Sequence, residues 1–250
     1  MTDSARRPLS VREVGELLAK SPHARDAILV GGQALNIWAV RYRLAAQNAA
    51  VSDDIDFFGN RAAAIAAGLD WDAEVQTPKL DDHTANSAIV LVDIDNVEYG
   101  IDFLNSILGV DSDELRRWSS VAGGLGYTFR VMHPLHVLQS QLENTYGLLN
   151  RRDTDLGGYQ AERVKLAVAV VACAVREMLD AGKPRVALNM VKRIAAIATS
   201  GPALAAHARD RIDVLEAIPD HTAWSREFLE KRMPQIREAA DRKRRRRESK

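Results

Sequence analysis

Gly31-Gly32-Gln33-Ala34-Leu35, followed after a helix-length gap by Ser52-Asp53-Asp54-Ile55-Asp56-Phe57-Phe58, is the stretch on which the fold of this chain turns. Ahead of it, Ile28-Leu29-Val30 reads as a short strand; behind it, Ala34, Leu35, Ile37, Trp38 and Tyr42 recur at helical spacing. The unit is a strand, a tight glycine turn and a helix. Such a turn brings bare backbone N–H groups and the positive end of a helix to a place where phosphate can rest. Asp54 to Phe58 supplies a second strand, on which Asp54 and Asp56 lie about 6.6 Å apart on one face. Two carboxylates that close repel unless a cation sits between them or one is protonated. Mg²⁺ suits them, because it takes oxygen ligands and is held by one or two carboxylates plus substrate phosphates. The bland alternatives are a solvated acidic strand end and a plain Gly-Gly turn.

Working outward, Ser10-Val11-Arg12-Glu13 is a capping-box pattern opening a helix to about Lys20. Arg61 to Ala67 is alanine-rich and helical, while Leu69 to Thr84 has mixed signals that assign it to no element. Ala88–Val92 and Val97–Phe103 read as strands joined near Asp93-Ile94-Asp95-Asn96, a hairpin. Asp111 to Trp118 is helical, Val121 to Gly126 a flexible connection, and Tyr127 to Met132 a further strand. Helices are expected at about Pro134–Asn150, Tyr159–Ala181, Pro184–Thr199, Pro202–Ala217 and Thr222–Arg246, with Gly182-Lys183-Pro184 and Ser200-Gly201-Pro202 as stop and restart signals. The expected class is α/β (α+β): a mixed-sheet domain over 1–133, a helical bundle over 134–241, and a disordered basic tail over 242–250.

Asp102 stands in an otherwise apolar strand, Tyr99-Gly100-Ile101-Asp102-Phe103-Leu104, where burial without a partner is costly. A salt-bridged or edge Asp is one reading. The other is a third carboxylate that holds metal and accepts a proton from an attacking hydroxyl. Cys173, the one cysteine, sits in the apolar run Leu166 to Val175 and reads as a small buried hydrophobe, so no disulfide or thiolate cluster is expected. His133-Pro134-Leu135-His136 reads as a helix start rather than a zinc site. The longest apolar run is about half the roughly 20 residues that span a bilayer, and the N-terminus has no apolar segment behind its charges. No membrane association and a cytoplasmic location are therefore expected.

Net charge is zero, yet residues 1–125 sum to minus eight and 126–250 to plus eight, with six positive charges in the unbroken run Arg242-Lys243-Arg244-Arg245-Arg246-Arg247. Such a run is either a solvated terminus or an electrostatic grip on a polyanion. Neither a Walker motif nor G-x-G-x-x-G is present.

In order and spacing, Gly31-Gly32, Asp54-Ile55-Asp56 and Asp102 resemble the nucleotidyltransferase superfamily, especially the AbiEii-like branch that includes toxins of type IV toxin-antitoxin systems. Arg152-Asp153-Thr154-Asp155-Leu156 looks like that branch's basic-acidic motif ending in Asp-Leu. The resemblance covers roughly residues 26 to 160. It implies the nucleotidyltransferase fold, Mg²⁺ or Mn²⁺ on Asp54, Asp56 and Asp102, and a nucleotide held by Gly31, Gly32, Gln33, Arg152 and Asp153. The implied reaction moves a nucleoside monophosphate from an NTP to a hydroxyl of tRNA, protein or a small molecule. A toxin of this kind would have an antitoxin partner, and the basic tail would contact tRNA or another nucleic acid. Two departures stand out. Gly32 replaces the Ser that follows the first Gly, and around Leu138–Leu142 no Lys appears, Gln139 or Gln141 taking its region. Lys79, Arg41, Arg43, Arg151 or Arg152 would have to replace that cation, and the sequence leaves open which one reaches the pocket. The missing Lys motivates the rival reading, an inactive nucleotidyltransferase fold that binds RNA or a partner as a regulator.

Overall fold

Tyr99, Ile101 and Phe103 alternate with Gly100, Asp102 and Leu104, and this period of two decides which side of the sheet is packed. A computed structural model describes residues 9–21, 27–44, 55–79, 84–124, 127–148 and 157–248. The chain divides into two compact units, Met1–Arg41 with Ala45–Val137, and Tyr42–Leu44 with Leu138–Lys250.

The first unit is a mixed α/β structure. Its strands are β1 (Ile28–Val30), β2 (Ile55–Phe58), β3 (Glu74–Gln76), β4 (Asn86–Ile94), β5 (Val97–Leu104), β6 (Ser120–Gly124) and β7 (Tyr127–Val131). They form one seven-stranded sheet in the order β3-β4-β5-β2-β1-β7-β6. β2 runs parallel to β5 and β1 parallel to β7, and the other neighbours are antiparallel. Register places Leu29, Phe57, Phe103 and Ala88 side by side, with Ile55, Ile101 and Val90 in the next row, all buried. Burying one such side chain stabilises by about 1.5–3 kcal/mol. Helices α1 (Val11–Lys20), α2 (Gly31–Arg41), α3 (Arg61–Trp71) and α4 (Ser112–Trp118) complete this unit, together with the start of α5 (Pro134–Leu142).

The capping box at Ser10 forms as expected, Ser10 Oγ accepting from the Glu13 N–H while the Glu13 carboxylate accepts from the Ser10 N–H at 2.8 Å. The β4–β5 hairpin forms too. Its turn residues Asp95 and Asn96 have φ of 54° and 62°, the left-handed pair that matches strand twist in a two-residue turn. Two expectations change. Val121–Gly126 is not simply a connection, because Ser120–Gly124 pairs antiparallel with β7; glycine-rich sequence hides a strand whose partner supplies the hydrogen bonds. Leu69–Thr84 holds the end of α3 and the short β3.

The second unit is helical: the end of α5, then α6 (Gly157–Asp180), α7 (Pro184–Ala198), α8 (Gly201–Asp210) and α9 (Met233–Glu248). The apolar run 166–175 lies inside α6; Cys173, expected to be buried, is only half-buried, though desolvation still raises its thiol pKa. Expected helix ends shift. After Leu142 the helix relaxes into a π turn, Glu143–Gly147. α8 stops at Asp210 because Arg211 takes a left-handed φ of 58°, and Val214–Ala217 is a separate 3₁₀ turn. The last helix does not start at Thr222; a π turn at Phe228–Arg232 leads into α9. The expected disordered tail is also corrected, since residues 242–248 are the last turns of α9. Arg244 binds the carboxylates of Asp213 and Asp241, and Lys243 and Arg247 donate to the carbonyls of Thr199 and Gly201. Charge repulsion along the helix is thus offset by fixed acceptors.

Candidate functional site

The parallel register of β2 on β5 sets Asp56 directly beside Asp102. Residues in register share a face, with backbones about 4.8 Å apart. Asp56 is also in register with Val30, the last residue of β1, so the carboxylate stands where the chain turns into α2. Gly31 makes that turn at φ +63°, and a Cβ there would collide with Asp56 Oδ2. Gly31 is therefore required twice, for its left-handed backbone and for the close approach of the carboxylate. The glycine pair expected to form a turn is itself the first turn of α2, whose N–H groups have no partner inside the helix.

Three of the expected residues, Asp56, Asp102 and Gly31, are thus brought together. Gly32 and Gln33 follow in the same helical turn, both buried. Gln33 is 0 % exposed and its side chain donates to the Leu9 carbonyl at 3.3 Å, so the side chain is engaged inside the fold. Asp54, Arg151, Arg152 and Asp153 lie outside the described residues.

Two side chains on this face carried no signal in the sequence. Asn86, at the start of β4, donates from Nδ2 to Asp102 Oδ1 at 3.0 Å. Arg116, on α4, stacks its guanidinium 4.7 Å from the ring centre of Phe58, which shares with Asp56 one face of β2. The hydrophobic alternation that reveals strands says nothing of a polar residue at a strand's first position, and nothing of a helix folding over the sheet. Of the substitute cations, Lys79 is exposed just after β3, and Arg41 lies 5.7 Å over the Trp38 ring at the end of α2. Arg43 belongs to the second unit, as do Gln139, half-buried, and Gln141, buried.

Asp56 and Asp102 are half-buried carboxylates on neighbouring strands. The donors are hard oxygens on a rigid sheet, a set that fits Mg²⁺ or Mn²⁺. Among the described residues no group of three His, Cys, Asp or Glu side chains is close enough to hold a metal ion, and Asp54, the third member of the expected set, is not among them. His133 and His136 belong to an aromatic cluster at the start of α5, each ring near Trp118, with His136 1 % exposed and 3.9 Å from Glu114. His133 Nδ1 accepts from the Leu135 N–H at 3.2 Å, which uses it as a helix-start residue. Among the described residues no helix is long and apolar enough to cross a membrane. Compared with known proteins, the chain matches no family model, no curated sequence and no solved structure.

Proposed function

We propose that the first unit is a metal-dependent nucleotidyltransferase that moves a nucleoside monophosphate from an NTP to a hydroxyl acceptor. One observation carries the reading: Asp56 and Asp102 stand side by side in register, and Gly31 at the start of α2 lies against the Asp56 carboxylate. The N–H groups of the first helical turn, at Gly31, Gly32 and Gln33, bind the triphosphate, favoured by the positive end of the helix dipole. In the reaction the acceptor oxygen bonds to the α-phosphorus, the bond from that phosphorus to the bridging oxygen breaks, and pyrophosphate leaves. Asp102 takes the hydroxyl proton. Asp54 and Asp56 would hold Mg²⁺ or Mn²⁺, which neutralises phosphate charge when bound.

The acceptor reading follows from the second unit, taken by itself. Arg242 and Arg245 are exposed on the last turns of α9, and Arg244, Lys243 and Arg247 are pinned by hydrogen bonds, so the basic run is an ordered face. An ordered array of cations fits the phosphates of tRNA or another nucleic acid. A toxin role, with an antitoxin that blocks it, is the biological setting this chemistry suits.

The test incubates the full chain with each α-³²P-labelled NTP, Mg²⁺ and total RNA. Label should appear on RNA, and Asp56→Asn or Asp102→Asn should reduce it by about 10²- to 10³-fold, the several kcal/mol expected of a metal-assisted step. Labelling that survives both substitutions discards the reading. Label on a protein or small molecule but not on RNA would retain the chemistry and discard the acceptor.

A further inference from the structure

α4 lies over the acid-bearing face of the sheet, one row beyond the carboxylates. Phe58 is two residues from Asp56 on β2 and in register with Ile28 of β1, which is in register with Arg130 of β7, so Phe58 and Arg130 share the face that carries Asp56. Arg130 ties α4 to that row. Its Nη2 donates to the Arg116 carbonyl at 2.7 Å, and its Nε donates to Oγ of Ser119, the cap of the helix, at 3.0 Å. The Arg116 guanidinium lies 4.7 Å from the ring centre of Phe58, a residue only 4 % exposed and therefore a fixed platform. Yet the Arg116 side chain remains 58 % exposed, and among the described residues its guanidinium donates only to Asp113 Oδ1, at a long 3.4 Å. Arg130 is spent on α4, whereas Arg116 keeps donors for a ligand. Arg61, also close in sequence to Phe58, opens α3, which packs on the opposite face, where a Cβ at Gly68 would meet Val90.

We propose that Arg116 binds the β- and γ-phosphates of the NTP and receives the pyrophosphate that leaves. The inference rests on the nucleotidyltransferase reading for the identity of the site and adds a phosphate-binding cation to it. The rows of Asp56 and Phe58 are about 6.6 Å apart along β2, so a phosphate chain whose α-phosphorus stands at the acidic row extends to Arg116. When the bond from that phosphorus to the bridging oxygen breaks, its electron pair goes to pyrophosphate, and the new charge grows beside carboxylates that repel it. A guanidinium there offsets the repulsion and presents paired N–H groups to phosphate oxygens. Stacking on Phe58 sets the plane of the guanidinium beforehand, so less side-chain freedom is lost on binding.

The experiment titrates inorganic triphosphate with Mg²⁺ into the full chain by calorimetry. Wild type, Arg116→Gln, Arg116→Ala, Arg117→Ala and Asp56→Asn are compared, with thermal melting of each followed by circular dichroism. Arg117→Ala removes the same charge from the neighbouring exposed position. Asp56→Asn marks binding at the acidic row, because triphosphate held elsewhere on the chain is indifferent to it. The expected result is an affinity lower by about 10- to 100-fold in both Arg116 variants, unchanged in Arg117→Ala and lost in Asp56→Asn, with melting of the arginine variants close to wild type. Wild-type affinity in both Arg116 variants, alongside a loss in Asp56→Asn, overturns the role of Arg116 and leaves the site standing. An equal loss in Arg117→Ala reports a general charge effect and overturns that role too. Triphosphate binding that is absent from the wild type, or that survives in the Arg116 variants and Asp56→Asn alike, overturns both readings.

Discussion

On one face of the β2–β5 pair, Ile55, Phe57, Ile101 and Phe103 are at most 1 % exposed; on the other, Asp56 and Asp102 are half-buried beside Asn86. The two faces come from alternate residues of the same two strands, so identical backbone geometry serves opposite ends. The apolar face gains from removal of surface from water and from the offset stacking of Phe57 on Phe103, whose ring centres are 5.4 Å apart. The acidic face does the reverse, setting like charges side by side. Rigidity for the second face is supplied by the packing of the first.

Substitutions on the two faces should therefore fail in different ways. The largest effect on stability is expected for Phe103→Ala, which opens a cavity beneath the acidic row and should cost about 3–5 kcal/mol in urea unfolding. A loss under about 1 kcal/mol would mean that this face is not packed as described. Gly31→Ala touches both properties. The left-handed backbone costs roughly 1–2 kcal/mol with a Cβ, and the collision displaces the Asp56 carboxylate. Melting temperature and Mn²⁺ affinity should fall together; a variant that melts early yet binds Mn²⁺ normally would separate the glycine from the site. The smallest stability change is expected for Asp56→Asn. It keeps the shape of a half-buried side chain, so the unfolding free energy should change by less than about 1 kcal/mol while Mn²⁺ binding is lost. A clear fall in stability would show Asp56 to be a structural residue.

The strands were legible where alternation was clean, as in Val97–Phe103, and Asp102 was visible because an acid interrupted it. Its pairing with Asp56 was not, because register is a property of two strands 46 positions apart, from 56 to 102. β6 was hidden for a related reason: Val121-Ala122-Gly123-Gly124 has weak local preference, and its partnership with β7 decides its form. Asn86 was invisible because its position depends on one extra residue in β4. The end of α9 misled in the other direction. Six consecutive cations suggest fraying, and the acceptors that hold them, on Asp213, Thr199 and Gly201, are distant in sequence.

The two-residue turn at Asp95 and Asn96 has a consequence for how the molecule assembles. It brings Asn86 to Asp102 across a separation of only 16 positions, whereas Asp56 must close a loop of 46 to reach the same neighbour. By the logarithmic dependence of closure entropy on chain length, the longer loop costs about 1 kcal/mol more. Asn86 and Asp102 are therefore joined by the cheaper, more local folding event, and Asp56 by the slower, longer-range one.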